Sequence, residues 1–204
     1  WSTALFAKIF LTTTGMQQED SRLDFINKNP LPPECESALV KRLETYLPEL
    51  DAVVISDYQV TGVISARILN RLNSLAKRYP NIFFVVDSRE RIGHYRDMVI
   101  KPNLLETLRA VNNHADPAQV SDSDLVQAGH SLQMKANKPV FITLSERGCL
   151  VIDAKSSEHI PAPNISPPID TVGAGDTFLA ALAASLAAGA SHTEAASIAC
   201  LASA

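Results

Sequence analysis

Residues 169–177, IDTVGAGDT, place two carboxylates, Asp170 and Asp176, around Gly173 and Gly175, directly ahead of the Ala/Leu-rich run FLAALAASLAAG. The glycines let the backbone turn tightly with unobstructed amides where a helix begins. The first turn of a helix has free N–H groups and a partial positive charge, and together these bind an anion. An aspartate among such donors would repel a bound phosphate, so its place there makes sense if it has chemistry to perform. Asp176 could take the proton from an attacking hydroxyl while the amides stabilise charge on a transferring phosphoryl group. The plainer alternative is a helix with an acidic first turn and a Gly-rich approach. Two rival phosphate motifs fail: GxGxxG needs glycine where the chain has Phe178, and no GK[ST] exists for a Walker A loop.

The elements that would position this segment follow from the hydrophobic pattern. DAVVISD (51–57) and NIFFVVD (81–87) are short apolar runs closing on an acid, as buried parallel strands do, and DMVIKPN (97–103) is a third, stopped by Pro102. PVFITLSERGCLVID (139–153) reads as two strands with SERG as their turn. Helical spacing marks 34–50, 63–79 and 121–137, the last with Ser121 as N-cap and Asp124 in its first turn. After the GAGD segment, Gly189 ends one helix, and Ser191 with Glu194 has the capping-box spacing for another. PAPNISPPID (161–170), with four prolines, is a stiff extended approach to the glycines. Strand and helix alternate from residue 34 onward, which predicts an α/β core, placed over 31–204, with a central, mostly parallel sheet flanked by helices. Residues 1–30 break that alternation: 4–14 and 21–27 are strand-like around a Gly-containing turn, and are expected to form a separate lid or sheet edge.

Composition narrows the function classes. In 204 residues, 46% hydrophobic and 20% charged content is that of a globular chain. A net charge of −4 argues against a nucleic-acid surface. Cys35, Cys149 and Cys200 are isolated and the five histidines are scattered, so neither a disulfide framework nor a zinc site is indicated. No uninterrupted apolar run reaches the roughly 18 residues of a membrane span, and no signal-peptide pattern opens the chain, which predicts a cytoplasmic protein. The chain starts at Trp1 and stops in the helical pattern SIACLASA, so it is expected to be a segment of a longer polypeptide.

DTVGAGDTF resembles the C-terminal signature of the ribokinase-like (PfkB) carbohydrate kinases. KPNLLE (101–106) is similar to that family's NxxE element and ITLSERGCLVID (142–153) to its nucleotide-binding hairpin, in family order. RLDF, SDYQVTG and DSRERIGHYRDMVIKPN draw the likeness toward the heptose-phosphate kinase branch. The resemblance covers about residues 12 to 204 and implies a ribokinase-like α/β fold with a small β lid. It implies an ATP-dependent kinase acting on a hydroxyl of a sugar or sugar phosphate, with Mg²⁺ and a K⁺ ion as cofactors. Asp176 would be the general base, and the amides of Gly173, Ala174, Gly175 and Asp176 the anion hole. Asp170 would hold sugar hydroxyls, or simply cap its loop, and with Thr171 could hold the monovalent cation.

Asn103 and Glu106 would reach Mg²⁺, through water, since Mg²⁺ keeps several of its waters. Read from spacing alone they are an N-cap and its capping-box partner, and both readings are compatible. Thr143, Ser145 and Gly148 would lie by the nucleotide, although Gly148 could be only a turn residue. Asp57 and Asp87 end strands where α/β sheets place ligands, and Asp57 is assigned to the acceptor. Arg89, Arg91 and Arg96 would suit a phosphate or a solvated surface. Lids in this family often build homodimers. Departures stand beside the likeness: the family's Gly-Gly sugar-binding segment and its adenine-framing end lie outside this chain, and QVTG follows SDY where the heptose branch commonly has lysine. A non-catalytic kinase-like domain that binds sugar or nucleotide, and a nucleoside or vitamin-precursor kinase of the same fold, are the alternatives.

Overall fold

The computed structural model describes residues 1–13, 16–112, 116–165 and 172–204. Two sheets are present. The first is an antiparallel pair, β1 (Leu5–Thr13) and β2 (Met16–Phe25), with a register shift between Ile9 and Phe10. It leaves Leu5, Ile9, Leu11, Leu23 and Phe25 exposed. The expected turn between residues 14 and 21 is shorter than the pattern suggests, since β2 already runs from Met16; residues 14–15 lie outside the described residues.

The second sheet has six strands in chain order: β3 (Ala52–Asp57), β4 (Phe83–Ser88), β5 (Val99–Ile100), β6 (Val140–Thr143), β7 (Cys149–Ile152) and β8 (Ser157–Ile160). β3 to β6 run parallel, β7 is antiparallel to β6, and β8 is antiparallel to β7. The sheet is therefore mixed, parallel where the helical crossovers lie and antiparallel where a hairpin replaces them. β5 is shorter than the pattern in 97–103 suggests. Asp97 takes a left-handed φ of 58° before it, and Pro102, which lacks an N–H, follows it.

Helices cover both faces. α1 (Pro33–Tyr46) starts with a proline in its first turn, and α2 (Ala66–Arg78) starts later than the apolar pattern because the Ser65 hydroxyl accepts from Ile68 N–H and caps it. α3 (Leu104–Ala110) and α4 (Asp122–Ala136) complete that side. α5 (Ala174–Ala187) and α6 (His192–Ala202) cover the other, α6 with the Ser191–Glu194 capping box formed. Strand alternation sends Phe84, Val86, Ile100, Val140 and Ile142 into one core, with Leu72 and Leu132 from the helices. Val85, Val99, Phe141, Cys149 and Val151 enter the other, against Phe178, Leu179, Leu182 and Ala199. No helix among the described residues is long and apolar enough to cross a membrane.

The β6–β7 hairpin depends on one residue. Gly148 is buried at φ +92°, and a Cβ there would stand 2.1 Å from the Ile160 carbonyl oxygen and 2.5 Å from Ala162 N. Both obstacles are backbone, so neither can step aside as a side chain would. Gly148→Ala is expected to cost about 3 kcal/mol, read as a lowered urea midpoint. An unchanged midpoint would show that the β8 end of the sheet yields freely.

Candidate active site

The parallel strands end on one edge, and chemistry-bearing side chains gather there. Asp57 closes β3 and Tyr58 follows it; Asp87 and Ser88 close β4; Lys101 follows β5; Thr143 closes β6. Asn103 forms an isolated bridge to Thr143, whose N–H donates to the Pro102 carbonyl at 2.9 Å, so the β5 and β6 ends stay in register past the last regular pair. The α5 N-terminus meets this edge. Gly173 takes φ +82° as its N-cap, and Thr177 N–H is bonded back to the Gly173 carbonyl, leaving the amides of the first turn without intrahelical acceptors.

Asp176, on that first turn and exposed, accepts a short hydrogen bond from the Tyr58 hydroxyl at Oδ1. The same hydroxyl lies 3.4 Å from Asp87 Oδ2. Asp87 is buried and paired with the equally buried Lys101, Nζ to Oδ2 2.9 Å. A Cβ on Gly175 would stand 3.9 Å from the Lys101 ammonium, which therefore sits close under the α5 first turn. The Arg89 guanidinium lies over the Tyr58 ring, 5.2 Å from its centroid, and makes no ion pair among the described residues. Burial, then the bond to Asp176, then the Asp87 charge push the Tyr58 phenol well above its ordinary range, so it stays protonated.

Asp57 is engaged differently. Its Oδ2 accepts from Ser88 Oγ at 2.8 Å, Tyr95 Oη at 2.8 Å and Arg91 Nε at 3.0 Å, and its Oδ1 pairs with Arg91 Nη2. With four donors on a buried carboxylate, Asp57 serves as an internal clamp, and Asp87 is the strand-end acid that faces α5. The arginines separate likewise. Arg91 belongs to Asp57, Arg96 donates to the carbonyls of Gly93 and Tyr95, and Arg89 stays at the edge.

Asn103 and Glu106 form a reciprocal capping box: Asn103 N–H donates to Glu106 Oε2 at 2.8 Å, and Glu106 N–H donates to Asn103 Oδ1 at 2.9 Å. Glu106 keeps Oε1 beside this bond. Among the described residues no group of three or more His, Cys, Asp or Glu is placed to hold a metal ion. The carboxylate of Glu106 and the amide of Asn103 are oxygen donors of the kind a hard cation such as Mg²⁺ takes, directly or through water. In the 145–147 turn Ser145 is exposed, with φ +53°. Asp170 and Thr171 lie outside the described residues. Sequence reading passed over Tyr58 and Lys101 as site residues. The signal for Lys101 was a lysine closing the apolar run MVI, and for Tyr58 its place in the SDY segment after a strand-end acid. Two grooves elsewhere, of about 740 Å³ between α5 and α6 and about 460 Å³ between α1 and α2, gather no comparable set.

The sequence profile of the pfkB family carbohydrate kinases matches residues 12–204. The bifunctional protein HldE of Nitrobacter winogradskyi is 33% identical over 172 residues, which is 83% of this chain and 34% of that protein. HldE of Hyphomonas neptunium is 31% identical over 184 residues, 89% of this chain and 37% of its own length. The chain spans about a third of the length of these curated relatives. Among solved structures, phosphofructokinase-2 of Escherichia coli in complex with potassium superposes with a TM-score of 0.70 at 23% identity, over 90% of this chain and 59% of that one. Ribokinase of Thermotoga maritima gives 0.65 at 19% identity, over 97% and 61%. At these identities the two structures establish the fold, which is ribokinase-like as expected from the sequence.

Loss of water, opposed by the Asn103 amide and aided by the Asp87 charge, raises the Glu106 carboxyl above its ordinary range. The native state then holds that proton more tightly than the unfolded chain does. Its contribution to stability is full at acid pH and is lost as pH rises through the raised value. Glu106→Gln keeps an acceptor for the Asn103 N–H and removes the charge. It is expected to melt about 2 °C higher at pH 7, with the gain fading below about pH 4, in a pH series of thermal melts. A lower melting temperature at pH 7 would contradict the sign.

Proposed function

The chain belongs to the pfkB family of carbohydrate kinases, and from that premise we propose that it transfers the γ-phosphoryl group of ATP to a hydroxyl of a sugar or sugar phosphate. One observation carries the reading. Asp176 stands on the first turn of α5, at the ends of the parallel strands, with free amides beside it and the Lys101 ammonium beneath. A base and an anion site are thus within one helical turn.

In this reading the acceptor hydroxyl approaches Asp176 and gives up its proton to the carboxylate as the new O–P bond forms and the bond from the γ-phosphorus to the bridging oxygen breaks, with ADP as the leaving group. The amides of Gly173, Ala174, Gly175 and Asp176, with Lys101 close below, stabilise the charge that gathers on the phosphoryl oxygens. Asn103 and Glu106 would hold Mg²⁺ through its waters; when bound, the ion neutralises phosphate charge. Asp170 serves the acceptor hydroxyls, and with Thr171 a monovalent cation; the Escherichia coli neighbour is one solved in complex with potassium. Thr143, Ser145 and Gly148 border the nucleotide, on the hairpin next to Asn103. The Asp57 clamp supports the acceptor side from within, and Asp87 is the acid available there. The β1–β2 pair is the lid, and its exposed apolar residues support a homodimer.

ADP formation by the full polypeptide, with Mg·ATP and a panel of sugars, sugar phosphates and nucleosides, tests the activity. Acceptor-dependent ADP establishes it and names the class, whereas folded protein that binds ATP and forms none points to a non-catalytic binding domain. Asp176→Asn is expected to lower kcat roughly a thousandfold while nucleotide binding, read by calorimetry, is retained. Normal turnover in that variant would remove Asp176 as the base.

A further inference from the structure

Tyr58 joins two parts of the fold that are 118 residues apart in sequence. Its backbone is tied down from one side: it follows Asp57, and Arg91, which clamps Asp57, also donates to the Ile64 carbonyl at 2.7 Å, bracing the loop that leaves β3. Its ring lies beneath Arg89. Its hydroxyl is within reach of two carboxylates, Asp176 and Asp87, yet a phenol has a single proton to donate. Asp87 has a second donor in Lys101, so the proton goes to Asp176.

We propose that Tyr58 is a positioning residue for Asp176: its hydroxyl holds the carboxylate in one rotamer facing the strand ends, and turns to Asp87 when an acceptor hydroxyl takes its place. The proposal rests on Asp176 being the base. The exchange breaks one hydrogen bond and forms another, and no covalent bond changes. The acceptor's proton goes to Asp176, and Tyr58 keeps its own, as its raised phenol pKa requires. The gap of 3.4 Å to Asp87 Oδ2 is one that a small torsion of the ring or hydroxyl closes. A carboxylate without this tether samples several rotamers, and fewer encounters have the reacting atoms aligned.

The test is Tyr58→Phe, which keeps the ring under Arg89 and removes only the hydroxyl. Expected is a fall in kcat of roughly ten- to a hundredfold, with KM for ATP and for the acceptor within about twofold of the parent. Placed on Asp176→Asn, the same change should cost nothing further, because residues acting through one group are not additive. Full kcat in Tyr58→Phe, or losses that multiply in the double variant, would overturn the proposal. A second measurement does not use activity. With tyrosine labelled at Cζ, the Tyr58 NMR signal, assigned by its loss in Tyr58→Phe, should shift at neutral pH in Asp176→Ala. An unmoved signal would show that the contact is absent in solution. If Asp176→Asn proves fully active while this signal moves, the base assignment fails and the contact stands, so the two readings fail separately.

Discussion

The docking of α5 on the sheet is the constraint on which the rest depends. Phe178, Leu179, Leu182, Ala183 and Leu186 are buried against Val85, Val99 and Phe141, and each large side chain so removed from water contributes about 1.5–3 kcal/mol. A helix is stiff, so this packing fixes the position of its first turn as well. Asp176 is two residues before Phe178 and inherits its placement. The helix's small residues serve the same end: alanines on α5 and Ala195, Ala196 and Ala199 on α6 let the two helices pack closely as one layer. The catalytic geometry proposed for the exposed end of α5 is thus set by apolar contacts that touch no substrate.

The sheet edge that receives α5 contains two ion pairs, each built on a buried carboxylate that closes one of two adjacent strands. Asp57 with Arg91 and Asp87 with Lys101 each place a carboxylate where it would be costly alone. Removing one partner of such a pair costs about 3–5 kcal/mol, because the remaining charge stays buried, although the intact pair adds little net stability. The pairs therefore specify arrangement more than they add stability. In register Ser56 faces Asp87 and Asp57 faces Ser88, so the two acids are offset by one residue and point to opposite sides of the sheet. One is satisfied within the α2 side by Arg91, Ser88 and Tyr95. The other faces α5, with Lys101 and Tyr58.

Much of this was legible from local pattern. The strands ending at Asp57 and Asp87, the capping boxes at Asn103–Glu106 and Ser191–Glu194, and the β6–β7 hairpin all depend on neighbours a few residues away. β8 was not legible: Ser157, Glu158 and His159 are exposed at the sheet edge, and only Ile160 is buried, so no apolar alternation marks the strand. The division of labour between Asp57 and Asp87 was not legible either. DAVVISD and NIFFVVD have the same form, and what separates them is the partner each acid meets. Arg91 and Lys101 are supplied by later segments, and a one-residue register offset decides which acid each one reaches. The Tyr58–Asp176 contact lies furthest from sequence reading, since it exists only once α5 has docked.

The charges at this edge have a further consequence. Asp87, Glu106 and Asp176 are three carboxylates; Lys101 and Arg89 are two cations, with the partial positive charge of the α5 N-terminus beside them. Lys101 is held by Asp87, so it can support an anion above Gly175 without leaving its pair. Glu106 is raised because it lacks water and feels Asp87, so it gains from any cation that approaches. A bare polyphosphate would meet repulsion from Asp176 and Glu106 together, whereas a polyphosphate arriving with its own divalent cation brings the charge that Glu106 lacks. In the function proposed above, this acidic surplus would act as a filter, disfavouring the free nucleotide and accepting its metal complex.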